Sequence, residues 1–344
     1  MRIGYIRSNF TKIVIGFLDG GWRTVETVTR ADICDALIEL DHDLLFFANT
    51  VKSSVPYGEK IPLKTTELPT LDLLLVEIAT TYWQSKENFR IIQHYMDRNV
   101  PMLVRLNDPD YRISPVVNYS QKTTYLTTSI LDNPLLRKSF NIPTEGKLVF
   151  LPYLALREFD WARSLDLARS RRDYIFMGNY FTTRIKRVRE FFQDVNPAAK
   201  IYGKSFKGEE DYSEEGWVKM GFIDIEHVPE ILKTAKATTV VQQPLFNKTG
   251  LIGSRVTEPA MYGCLTFIDD QSEFLQPYFD SFYFVGTKYE LQSKLNVVMR
   301  WDPQTYIEKT SEQFDLLYSK FGWKEYKRIF QKAIEEALNE NTSS

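Results

Sequence analysis

Arg255 and Glu258 stand three residues apart in GLIGSRVTEPAMYGCLTFIDD, residues 250–270, just before an apolar run that reads as a buried strand. On a helix that spacing puts both side chains on one face. Pro259 lacks an N–H and suits a helix's first turn, so the helix is expected to begin near Val256 with Ser254 as its cap. Free backbone donors and the positive dipole end attract an anion there, and an arginine fork beside them suits a diphosphate. Glu258 is then placed to accept hydrogen bonds from a sugar hydroxyl. An Arg/Glu pair at this spacing also occurs as an ordinary surface ion pair, so the neighbouring segments decide between the two readings.

Two further segments carry candidate chemistry. After the strand YIFMG comes Gly178-Asn179-Tyr180-Phe181-Thr182-Thr183, opening a helix whose apolar stripe is Ile185, Val188 and Phe192. Gly178 lets the backbone approach a ligand closely, and Arg184 in the first helical turn works against the helix dipole unless an anion compensates it. Arg184, Lys186 and Arg187 can equally form a solvated face. The strand PMLVRL runs into Asn107-Asp108-Pro109-Asp110-Tyr111-Arg112, where a strand-end carboxylate is placed to act as a general base. Aspartate is also a common turn residue. The connection over residues 7–24, with Gly20 and Gly21, is long enough to be an acceptor-binding loop.

The elements that must position these residues alternate along the chain. RIGYIR, a helix over VETVTRADICDALIEL, DLLFFA, DLLLVE, a helix over SKENFRIIQHYMDRN, PMLVRL and KTTYLTT predict a parallel sheet with helices on its faces. YIFMG, a helix over TTRIKRVREFFQDV, AKIYG, a helix over IEHVPEILKTAK, ATTVVQ and CLTFID repeat the grammar in a second doubly wound domain. At 344 residues, two domains are the default expectation. The boundary is placed near residue 160, with 1–160 and 161–314 as the domains. Amphipathic helices over about 315–344 are expected to pack back on the first. Ligands of open parallel sheets bind at the strands' carboxyl ends, so two such domains facing each other make a central cleft.

Composition narrows the function. A content of 43% hydrophobic and 26% charged residues is that of a soluble globular protein, without an apolar run of the roughly 18 residues a membrane helix needs. No membrane partner is expected, and the N-terminus lacks signal-peptide features. The expected location is the cytoplasm. Only three histidines are present, and Cys34 and Cys264 have no paired spacing, so no metal site is expected and both cysteines read as buried small hydrophobes. There is no G-x-x-x-x-G-K-[ST], and no G-x-G-x-x-G follows the first strand. The net charge of −2 gives no global attraction to nucleic acid. A local excess lies between Arg163 and Arg189, with eight basic residues against Asp166 and Asp173.

On these segments the chain resembles the GT-B glycosyltransferases, and within them the T-even phage DNA beta-glucosyltransferases. The donor helix with Arg-x-x-Glu before a buried strand ending in acidic residues is matched by Arg255, Glu258 and CLTFIDD. The glycine-containing phosphate loop resembles MGNYFTTRIKR, with Gly178, Asn179 and Arg184; the family's second arginine has no counterpart at the same spacing, and Lys186 or Arg187 stands in its place. The loop that holds uracil through its backbone resembles MGFIDIEHVPEIL, with Gly221, Phe222 and Ile223. The family's base lies in an Asp-x-Arg after a strand. Asp110 matches that spelling and Asp108 the strand-end position.

The resemblance implies a UDP-sugar as donor substrate, no tightly bound cofactor and metal-independent binding of UDP. It implies inverting transfer of arabinose or glucose to 5-hydroxymethylcytosine in double-stranded DNA, in the cytoplasm of a phage-infected host. A GT-B enzyme acting on protein or polysaccharide, and an inactive sugar-nucleotide-binding protein, are the alternatives.

Overall fold

The computed structural model describes residues 1–6, 25–48, 59–62, 64–77, 86–106, 123–158, 160–178, 182–203, 216–221, 223 and 227–339. Contacts divide the chain into two compact units, with changeovers at Ala155/Leu156 and Trp323/Lys324. The sequence reading put them near 160 and 315.

Unit 1 contains β1 (Arg2–Ile6), α1 (Val25–Glu39), β2 (Asp43–Ala48), β3 (Glu59–Pro62), β4 (Leu73–Glu77), α2 (Lys86–Met96), β5 (Met102–Leu106), β6 (Thr123–Thr127), α3 (Pro134–Phe140) and β7 (Lys147–Phe150). Its strands form a seven-stranded parallel sheet in the order β3-β2-β1-β4-β5-β6-β7. β4 (LLLVE) and β5 (MLVRL) are buried at every position, as strands covered on both faces must be. α2 explains part of that cover: Asn88, Ile91, Ile92 and Tyr95 recur at helical spacing and are buried.

Unit 2 follows with α4 (Leu165–Ser170), β8 (Asp173–Met177), α5 (Thr182–Phe192), β9 (Lys200–Tyr202), β10 (Val218–Gly221), α6 (Val228–Thr234) and β11 (Ala235–Val240). It continues through α7 (Pro244–Thr249), α8 (Ser254–Met261), β12 (Leu265–Asp269), β13 (Phe284–Val285), α9 (Lys288–Arg300) and α10 (Pro303–Phe321). Its sheet is six-stranded and parallel, in the order β10-β9-β8-β11-β12-β13. The core gathers Tyr174, Phe176, Phe191, Phe192 and Phe267, with Tyr174 and Phe192 stacked 5.0 Å apart. α10 starts sharply: Asp302 accepts from the N–H groups of Gln304 and Thr305, and Pro303 occupies the first helical turn.

The last helix, α11 (Trp323–Asn339), belongs to unit 1 from Lys324 onward. Its buried stripe, Tyr326, Phe330, Ala333, Ile334 and Ala337, repeats at helical spacing. Burial of Phe330 and Ile334 stabilises by about 1.5–3 kcal/mol each. Lys327 bonds Glu39 at 2.6 Å on the surface. Cys34 and Cys264 are both buried, without a disulfide.

Candidate functional site

α8 begins two residues earlier than the proline argument placed it. The helix runs Ser254–Met261, its cap is Gly253 rather than Ser254, and Pro259 sits in the second turn. The missing N–H gives up one i→i−4 hydrogen bond, and the helix ends two residues later, where Tyr262 N–H and Cys264 N–H both donate to the Pro259 carbonyl. The earlier start places Arg255 in the first turn.

Arg255 does not form an ion pair with Glu258. Its Nε donates to the Met177 carbonyl at the end of β8, 2.7 Å away. The guanidinium therefore lies against Gly178. A Cβ on Gly178 would overlap Nη2, Cζ and Nε of Arg255, and the residue's φ of +130° is one that side chains rarely adopt. Glycine is required here twice over. Gly178→Ala is expected to fold and to push Arg255 off its seat, weakening binding of a diphosphate ligand by about tenfold or more. Calorimetric titration with UDP reads this out, and unchanged affinity overturns it.

Arg184 is the second cation. It is 3% exposed, its Nη1 donates to the Val241 carbonyl beyond β11 at 3.3 Å, and its guanidinium lies 5.7 Å from the Phe176 ring. Burial and then the nearby positive charge of Arg255 pull its pKa down to about 8. A guanidinium so buried and so close to a second positive charge is one whose charged form an anion would stabilise.

Glu258 shares α8 with Arg255 and is 8% exposed. Burial raises its pKa to about 8 against the pull of Arg255, so it is chiefly a neutral acid at pH 7. A carboxyl whose pKa rises on folding penalises the folded state progressively between its ordinary value of 4.5 and about 8. Glu258→Gln removes that penalty. Its Tm relative to the unsubstituted protein is expected to climb as pH rises from 5 to 8.5, by scanning calorimetry, and a constant difference contradicts this.

Arg187 has a different use from the donor contact expected of it. Its fork holds both oxygens of Asp269, with Nη2 2.8 Å from Oδ1. It also reaches Asp270 at 2.9 Å and Glu190 at 2.7 Å. Asp269 is fully buried at the end of β12, and Arg187 with the Gln271 N–H satisfies it. Arg187 thus ties α5 to the carboxyl end of β12. The sequence signal was the paired aspartates of FIDD, which was read only as a strand ending.

The third expected segment lies on the same edge of the sheet. Gly178 N–H donates to the Tyr202 carbonyl, and Gly203 N–H to that of Gly221, which joins the ends of β8, β9 and β10. Gly221 has φ +79°, with nothing near its missing Cβ. Ile223 is half-buried. Gly178, Arg184, Arg255 and Glu258 are brought together; Gly221 and Ile223 lie along the same carboxyl edge, the ligand-binding edge of open α/β sheets. Asn179, Phe222, Asp108 and Asp110 lie outside the described residues, as do residues 7–24 and most of the acidic loop at 208–216.

The basic stretch is not one continuous charged face. Arg171 is 3% exposed and donates to the carbonyls of Leu232, Ala235 and Tyr262, while Arg184 and Arg187 point into the site and its support. Arg163 and Arg169 pair with Asp315 and Asp166 on the surface. Among the described residues, no group of three or more His, Cys, Asp or Glu could hold a metal ion. No helix among them is long and apolar enough to cross a membrane.

Solved structures share this architecture over nearly the whole chain. T4 phage beta-glucosyltransferase in complex with UDP and Mn2+ superposes with a TM-score of 0.67 at 18% identity, covering 97% of this chain and 100% of that one. The fold is GT-B. A complex of the T4 enzyme with UDP-glucose gives the same TM-score at 16% identity, over 97% of this chain and 100% of that one. AviGT4, a glycosyltransferase of avilamycin A biosynthesis, gives 0.58 at 13% identity over 98% of each chain. No sequence-family model and no curated protein matches the chain. Arg184 and Arg255 lie at the carboxyl edge of unit 2's sheet, Arg184 bonded to the Val241 carbonyl beyond β11 and Arg255 to the Met177 carbonyl at the end of β8.

Proposed function

We propose that this chain is a glycosyltransferase that moves a sugar, arabinose or glucose, from a UDP-sugar to 5-hydroxymethylcytosine in double-stranded DNA. The observation that carries the donor half is the Arg255 guanidinium, from the first turn of α8, laid against Gly178, with the buried Arg184 of α5 close enough to act on it electrostatically. A diphosphate relieves their mutual repulsion and is favoured by the positive end of the helix dipole at the start of α8. Glu258 is set to meet a hydroxyl of the nucleotide's ribose. Gly221 and Ile223 supply backbone groups for the base. The DNA acceptor rests on likeness to the T4 enzyme, described in one of its structures as a DNA modifying enzyme.

The reaction is a single displacement with inversion. The acceptor's hydroxymethyl oxygen attacks the anomeric carbon and forms the new C–O bond. The bond from that carbon to the β-phosphate oxygen breaks, and UDP leaves with the electron pair. The acceptor proton passes to Asp108 or Asp110. Arg255 and Arg184 take up the charge that grows on the departing diphosphate, so UDP binding is expected without a metal ion. Mn2+ accompanies UDP in one complex of the T4 enzyme, which makes chelation a necessary control.

The test is mass spectrometry of hydroxymethylated duplex DNA after incubation with a panel of UDP-sugars, with and without chelator. A pentose or hexose mass shift is expected on the modified cytosine, with DNA binding that weakens steeply as salt rises. UDP binding without transfer to DNA overturns the acceptor assignment, leaving another hydroxyl acceptor or a binding protein. Failure to bind UDP at all overturns the whole reading.

A further inference from the structure

The carboxyl edge of unit 2's sheet carries a polar side chain that the donor contacts leave unused. Gln242 lies two residues beyond β11 and is 8% exposed. Its amide nitrogen Nε2 is buried and has no hydrogen-bond partner among the described residues. A buried donor left unpaired costs about 1–3 kcal/mol, so this amide gains more from an oxygen brought by a ligand than a solvated one would. Its neighbours are already committed. The carbonyl of the preceding residue, Val241, takes Arg184 Nη1 at 3.3 Å, and Asp269 at the end of the adjacent β12 is held by Arg187 and the Gln271 N–H.

The strand order says which part of a ligand Gln242 meets. Along this edge the strands run β10-β9-β8-β11-β12. Gly221 ends β10, whereas the Arg255 Nε is bonded to the Met177 carbonyl at the end of β8. Neighbouring strands lie about 4.8 Å apart, which sets the end of β10 about 10 Å from that of β8, and the end of β11 about 5 Å farther in the same direction. A UDP-sugar is a linear series of base, ribose, diphosphate and sugar. With the base at β10 and the diphosphate at β8, the group that reaches β11 is the sugar. A glutamine amide suits it, because it both donates to and accepts from hydroxyl groups. The last torsion of the side chain is soft, so Nε2 can turn to meet an oxygen.

We propose that Gln242 determines donor specificity by donating from Nε2 to a hydroxyl oxygen of the transferred sugar. The inference rests on the donor half of the function proposed above. The test is calorimetric titration of the full chain and of its Gln242→Leu variant with UDP, UDP-glucose and UDP-arabinose, without acceptor. Leucine keeps the bulk and removes an unpaired donor, so Tm is expected to hold or rise slightly. UDP affinity is expected to stay within about twofold, while affinity for the UDP-sugar that the unsubstituted protein binds more tightly falls about tenfold. Gln242→Asn keeps the amide but draws it back by one methylene; it is expected to lose the same increment and stands in should Gln242→Leu fail to fold. Equal losses for UDP and the UDP-sugar, or none for either, overturn the proposal. A merely structural role would lower Tm and weaken all three ligands alike. UDP binding by the unsubstituted protein upholds the donor site whatever the variants do, and its absence removes both readings.

Discussion

Arg255→Met yields a folded protein that binds UDP about a hundredfold more weakly or worse. A charge-assisted contact to phosphate in a buried setting costs about 2–5 kcal/mol when one partner is truncated, and 2.8 kcal/mol of that range corresponds to about a hundredfold. The structural cost is small. The hydrogen bond from Nε to the Met177 carbonyl contributes about 1 kcal/mol, and removing Arg255 relieves the repulsion that, after burial, lowers the Arg184 pKa. Tm is therefore expected to stay nearly level while affinity collapses. Uridine separates this from general damage to the site, since it lacks the diphosphate and should lose far less affinity than UDP. Calorimetric titration with both ligands checks the prediction. UDP affinity within threefold of the unsubstituted protein would remove Arg255 from the donor site.

Asp108→Asn and Asp110→Asn, made separately, are expected to give one variant with kcat reduced about a thousandfold and another that is mildly affected. General base catalysis supplies about 10²–10⁴ in rate, and an amide of the same shape cannot take the proton. The disabled variant should keep its UDP affinity, because the proposed nucleotide contacts, Arg255 of α8 and Arg184 of α5, belong to unit 2. Its residual rate should also lose the acid limb of the pH profile that a titrating carboxylate produces. The two aspartates follow β5 by two and four positions in the sequence, with Pro109 between them. Two fully active variants would exclude the single-displacement mechanism with either residue as base.

Most of the architecture was legible because each sheet announces itself through apolar runs alternating with helical periodicity. DLLFFA coincides with β2, and CLTFID contains β12. What escaped the reading lacks that contrast. β10 is an edge strand with Val218 and Met220 exposed, so nothing in its pattern marks a buried face. α3 is only seven residues long, and its signals, Asn133 as cap with Pro134 after it, are those of an ordinary turn. α9 was passed over although Thr287 caps it in a standard way, because Leu291, Leu295 and Val298 form a narrow stripe among polar residues.

At the candidate site, residue types were legible and commitments were not. Arg255 and Arg184 were identified by their places at helix starts, which is where the structure puts them. Arg187, next to the exposed Lys186, proved to be bound to Asp269 across 82 positions of sequence. No local pattern encodes that pairing. The proline argument likewise failed by two residues because Pro259 sits in the second turn, where the chain gives up one i→i−4 hydrogen bond that a helix buried over residues 256–261 does without. Gln242 was passed over for a related reason: it reads as the polar end of the strand ATTVVQ, and only the sheet order sets β11 beside β8.

The changeovers at Ala155/Leu156 and Trp323/Lys324 set a timetable for the nascent chain. Residues 156–323 are contiguous, so unit 2 has every strand it needs before α11 has been made. Unit 1 must wait. At roughly 5–20 residues per second, about 10–40 s separate the synthesis of Ala155 from that of the last turn of α11. During that interval the apolar surface later covered by Tyr326, Phe330 and Ile334 has no lid. The earliest-made half of the protein is thus the last to close, which makes its newborn form the one that aggregation and chaperones meet first.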